Sequence, residues 1–84
     1  MTFTFEVLVT LKPGLADPAG KAVEAALPTM GWATVTGVRV GKHIKLSVDA
    51  LDEPTARSQV EEIAGRLLSN PVIEDYRILD LQGG

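Results

Sequence analysis

His43 is the single histidine in this chain of 84 residues, and there is no cysteine. The missing thiols exclude disulfides, thiolate metal sites and a Cys nucleophile together. A general base needs a neighbour to orient it, and nothing close to His43 in sequence supplies one, so it reads as an exposed strand-end residue. Glu61 and Glu62, like Glu74 and Asp75, are adjacent acids. Neighbouring helical positions point apart, so Glu61 and Glu62 read as a solvated face and not as an acid–base pair. Ser47, Ser58 and Ser69 lie outside any glycine elbow, and neither a dinucleotide-binding nor a P-loop glycine pattern is present. Gly41-Lys42 offers an ammonium that could meet a phosphate, although a tight turn would ask for the same glycine. Trp32, the only tryptophan, reads as a core or interface anchor. Residue by residue, this is a non-catalytic module.

Composition narrows the partners. Eight basic and eleven acidic residues give a net charge of −3, which argues against a nucleic-acid binder that works by phosphate neutralisation. The apolar runs are too short for a membrane span, and the first residues lack a basic, hydrophobic signal region. A soluble cytoplasmic protein is the expectation. At 45% hydrophobic content, residues 1–84 suffice for a single domain with one modest core, with apolar surface left over for a partner.

The elements follow from periodicity. Phe3, Phe5, Val7, Val9 and Leu11 alternate with polar residues, the period of a strand with one buried face. Ala19, Ala22, Val23, Ala26, Leu27 and Met30 make one helical stripe. Between these segments lies LKPGLADPAG, residues 11–20, where Asp17 reads as N-cap and Pro18 as the first helical residue. Pro28 predicts an end or kink near Leu27, with Gly31 closing any last turn. Residues 34–40 and 43–49 alternate as two strands, and Gly41-Lys42 reads as their hairpin loop. A second helix is capped by Asp52 or Glu53, has Pro54 in its first turn, and carries the stripe Ala56, Val60, Ile63, Ala64 and Leu67. Asn70 in a left-handed cap conformation and Pro71 end it. The last strand sets Val72, Tyr76 and Ile78 on one face, with Ile73, Leu79 and Leu81 off it.

Strand, helix, strand, strand, helix, strand predicts an α+β, ferredoxin-like βαββαβ fold: a four-stranded antiparallel sheet with two helices on one face. Leu8, Leu79 and Leu81 would then make the open face apolar enough to pack against a second copy in an oligomer.

Three stretches, LKPGLADPAG at 11–20, VRVGKHIKL at 38–46 and LLSNPVIEDYRI at 67–78, together resemble PurS, the small subunit of bacterial phosphoribosylformylglycinamidine synthase. The resemblance runs from Val7 to Ile78; Pro28 departs from it, because the corresponding helix usually reads through to the glycine that follows. It implies a ferredoxin-like subunit without an active site or bound cofactor of its own. Such a subunit joins a PurQ-type glutaminase to a PurL-type synthetase in a complex that uses ATP, Mg and glutamine in purine biosynthesis, and it forms a homodimer or homotetramer. The partner-binding residues it points to are Lys12, Asp17 and Gly20 in the joint, Gly41 and Lys42 at the hairpin, and Asn70, Pro71, Ile73 and Tyr76 before the last strand. An ACT-like small-ligand module shares the strand–helix order, with Gly31 or Gly41 in its binding loop. An acylphosphatase-like enzyme also shares it but needs an arginine in the first loop, where this chain has Lys12. An RNA-recognition module needs aromatics on strands that here have none.

Overall fold

A computed structural model describes residues 1–79; Leu81 lies outside the described residues. Three antiparallel strands form the sheet in the order β2-β1-β3: β1 is Thr2–Leu11, β2 is Lys42–Asp49 and β3 is Glu74–Leu79. β1 is central because its alternation continues for ten residues, long enough to pair on both edges. Phe5 faces Leu46 and Val7 faces Ile44 on one side, and on the other Val7 faces Ile78 and Val9 faces Tyr76.

Helix α2, Glu53–Ile63, covers that face. Asp52 is its N-cap, accepting from the Thr55 N–H at 2.9 Å, and Pro54 sits in the first turn, where its missing donor is harmless. Ala56, Val60 and Ala64 bury completely against Phe5, Val7 and Val9. After Ile63 the helix widens into a π turn, Ala64–Leu68. The Ser69 N–H and hydroxyl both donate to the Ala64 carbonyl, at 3.0 and 2.8 Å. An extra residue in one turn moves the stripe on by one position. Leu68 therefore packs on the core, and Leu67, expected in the stripe, is 78% exposed. Asn70 does not take a left-handed conformation. Its Oδ1 accepts from the Val72 N–H at 3.1 Å, an Asx turn that ends the helix by a different means. Val72 precedes β3 and is exposed, so it belongs to this turn and not to the strand face.

Helix α1, Pro18–Ala26, starts at the Asp17 cap, and Pro28 ends it in a short 3₁₀ turn, Pro28–Met30, closed by Gly31 at φ 101°. Two features of the expected ferredoxin-like arrangement are corrected. Among the described residues the sheet has three strands, and α1 packs little against α2 or the sheet: Gly20 is its single buried residue, and Val23 on its apolar stripe is 46% exposed. Residues 34–40 run along α1 instead of pairing as a strand, because side chains take their backbone donors. Glu24 Oε1 accepts from the Gly37 and Val38 N–H groups, and Asp17 Oδ2 accepts from the Val40 N–H at 2.8 Å. Gly37, at φ 72°, supplies a left-handed bend within this run. The molecule is long and thin, 52 × 30 × 13 Å.

Candidate partner interface

The residues singled out from sequence fall into three groups. Lys12, Lys42, Asn70, Pro71, Ile73 and Tyr76 converge at one end of the sheet, where β1 ends, β2 begins and β3 enters. The Lys12 N–H donates to the Ile73 carbonyl at 2.9 Å, which extends the β1–β3 pairing into the joint. Its ammonium lies 3.6 Å from Asp75 Oδ1. The Lys42 ammonium lies 3.8 Å from Glu74 Oε2 and reaches the Leu68 carbonyl at 3.5 Å. The Asn70 N–H donates to Glu74 Oε1 at 2.8 Å, and its carbonyl accepts from Ile73 and Glu74. A cleft of about 290 Å³ runs among Lys12, Gly65, Ser69, Pro71, Asp75 and Tyr76. The Tyr76 ring lies over Gly65 in the π turn, while Val72 and Ile73 stand out beside it.

This end therefore combines exposed apolar side chains with two lysine–carboxylate pairs whose lysines reach water. Solvated pairs of this kind are worth about 0–1 kcal/mol. Exchanging them for pairs with another protein costs little, and the apolar residues supply the area to bury. Glu74 and Asp75, adjacent acids in the sequence, each sit opposite a lysine, a pairing that the sequence alone did not disclose. The signal lay in the register: Leu11 pairs with Glu74 and Thr10 with Asp75, one and two residues before Lys12.

Asp17, Gly20 and Gly41 form the second group, and each has structural work. Asp17 is buried; its Oδ1 accepts from the Gly20 N–H at 2.9 Å and its Oδ2 from Val40. Bonds from Gly20 and Val40, with the Arg39 guanidinium 3.9 Å away, hold its pKa below the usual carboxylate value. Arg39 also donates to the Leu15 and Lys12 carbonyls at 2.9 and 3.4 Å. A Cβ on Gly20 would lie 2.3 Å from the Val38 carbonyl oxygen, and one on Gly41 would lie 2.7 Å from that of Val9. Both glycines permit close backbone approach. Gly41 does not serve as the first residue of a hairpin loop, because residues 34–40 do not fold back on β2.

Leu8 and Leu79, the third group, lie diagonally on the face away from α2. Around them, among the described residues, are Thr4, Glu6, His43, Lys45 and Arg77. His43 Nε2 lies 2.8 Å from Glu6 Oε1 on this face, an orienting neighbour that sequence separation concealed. No helix among the described residues is long and apolar enough to cross a membrane.

The lysine-rich end carries the same motifs whose spacing resembled a known family, and residues 4–81 match that family: PurS, phosphoribosylformylglycinamidine (FGAM) synthase. The chain belongs to the PurS family. The PurS subunit of FGAM synthase from Synechocystis is 46% identical over 70 residues, covering 83% of this chain and 70% of its own length. That of Bacillus subtilis is 40% identical over 75 residues, 89% of this chain and 88% of the relative. Among solved structures, the Thermotoga maritima PurS subunit aligns with a TM-score of 0.88 at 32% identity, over 96% of this chain and 93% of that one. A chain of the T. maritima PurLQS structure aligns equally well, with a TM-score of 0.88 at 32% identity over 96% and 99% of the two chains. PurS relatives thus share the elongated arrangement of the sheet and α1, and not only the sequence motifs.

Proposed function

We propose that this chain, as the PurS subunit of FGAM synthase in purine biosynthesis, performs no chemistry itself. It holds a PurL-type synthetase and a PurQ-type glutaminase in register in the cytoplasm so that ammonia passes between them without loss to water. ATP, Mg and glutamine are used by the larger subunits, and this chain self-associates as a homodimer or homotetramer. The observation that carries the reading is the likeness to a chain of the T. maritima PurLQS structure over nearly all of both chains. The lysine-rich end is the surface offered to the larger subunits: Lys12 and Lys42 make charge-assisted contacts with their acidic groups, and Ile73 and Tyr76 are covered.

Lys42→Glu tests this. The substitution sets a third carboxylate beside Glu74 and Asp75, on an exposed side chain whose loss costs the isolated fold little. In a complex reconstituted from the three subunits, glutamine-dependent FGAM formation is expected to need at least tenfold more of the variant for half-maximal rate. The ammonia-dependent rate of the synthetase and the far-UV circular dichroism of the variant stay unchanged. Equal titration curves for wild type and Lys42→Glu would overturn the assignment of this surface.

A further inference from the structure

The two lysine–carboxylate pairs at the end of the sheet constrain whatever covers them. Each lysine already has its counter-charge: Lys12 lies 3.6 Å from Asp75 Oδ1, and Lys42 lies 3.8 Å from Glu74 Oε2. A partner acid that takes either lysine leaves a carboxylate behind, and a carboxylate covered without a counter-charge is costly. The two carboxylates differ in this respect. Glu74 keeps a donor, because its Oε1 accepts from the Asn70 N–H at 2.8 Å. Asp75 has Lys12 and, among the described residues, no hydrogen bond.

Beside Asp75 lies the cleft of about 290 Å³ walled by Lys12, Gly65, Ser69, Pro71 and Tyr76. Ligand pockets run from about 300 to 1,000 Å³, so this one suits a single side chain better than a cofactor. Its polar lining is rich in acceptors. The Asp75 and Glu74 carboxylates only accept. The Ser69 hydroxyl is 7% exposed and already gives its hydrogen to the Ala64 carbonyl at 2.8 Å, so lone pairs are what it has left to offer. Tyr76 adds an aromatic wall over Gly65, where a Cβ would sit 3.5 Å from the ring.

We infer that this cleft takes an arginine side chain from a larger subunit, its guanidinium replacing the Lys12 ammonium on Asp75 against the Tyr76 ring. This rests on the lysine-rich end being the surface offered to those subunits, and adds that the surface they bring is of mixed sign. Arginine in preference to lysine follows from the lining. A planar group with five donors and no acceptor matches several acceptors at once, forks onto a carboxylate and stacks on an aromatic ring, whereas an ammonium is a point charge. Tyrosine and arginine are also side chains in which interface energy concentrates. The charges then balance: Lys12 passes to a partner acid and Asp75 to the partner arginine, so none is stranded when water leaves.

Asp75→Asn tests this by the sign of its effect. If the larger subunits bring only acids, Asp75 repels them and holds Lys12 back, so removing its charge helps assembly. If an arginine enters, the carboxylate is its anchor. In the complex reconstituted from the three subunits, glutamine-dependent FGAM formation is expected to need at least tenfold more Asp75→Asn than wild type for half-maximal rate, with unchanged far-UV circular dichroism. Asp75→Glu, which keeps the carboxylate, is expected to recover most of that loss. Phenylglyoxal, which modifies arginine, gives a readout independent of activity. Mapped by mass spectrometry, at least one arginine of a larger subunit should react at least fivefold slower in the wild-type complex than without this chain, and lose that protection with saturating Asp75→Asn. Equal or tighter assembly of Asp75→Asn, or the same protected arginines with both chains, would overturn the arginine. Lys42→Glu weakens assembly whichever group enters the cleft, so its titration tells separately whether the surface itself stands.

Discussion

Asp17 holds two separated backbone donors with its two oxygens, Gly20 in its own helix at 2.9 Å and Val40 twenty-three residues on at 2.8 Å. Two donors need two acceptors. An asparagine side chain in its place would keep one oxygen and turn an amide N–H toward the other donor. Asp17→Asn is expected to lower the thermal midpoint at neutral pH by roughly 5 °C. The bonds from Gly20 and Val40 keep the folded pKa below the ordinary 3.8, so the stabilisation is complete above 3.8 and is lost as pH falls through the lowered folded value. The gap in midpoint between wild type and Asp17→Asn should therefore narrow as pH is taken below 3.8. A gap that stays constant would show that shape, and not charge, matters at this position.

At the scale of elements, the closest backbone approach is where α1 meets residues 38–40. Gly20→Ala drives a Cβ to 2.3 Å from the Val38 carbonyl, a clash with backbone that no rotamer change relieves. It is expected to cost about 2 kcal/mol in urea unfolding, and an unchanged urea midpoint would show that the backbone of residues 38–40 gives way without loss. What the sequence disclosed here divides by range. β1, the Asp17 and Asp52 caps and the Pro28 stop depend on neighbours within a few residues, and the pattern showed them. The π turn depends on Ser69 reaching back to Ala64, so periodicity alone places the stripe one residue off, at Leu67 in place of Leu68. Residues 34–40 have the alternation of a strand, but acceptors from Glu24 and Asp17 intercept their donors, and no local pattern reports a competitor so far upstream. The partner-facing end was legible as motifs, yet its ion pairs were not, because they depend on strand register.

At the scale of the whole molecule, length is the property that matters. A body 52 Å long and 13 Å thin exposes two faces and two ends, which suits a subunit that must be held by several neighbours more than one that shelters a reaction. Just past α1 and its 3₁₀ turn lies the chain's single indole, Trp32, mostly in water. That makes the protein its own optical reporter. Selective excitation should give a long-wavelength emission at high dilution that moves to shorter wavelength as copies associate, with a midpoint matching the one from light scattering. A spectrum unchanged across that range would mean the indole stays wet throughout. A residue unsuited to any active site thus becomes a label-free gauge of how much of the protein has found a companion.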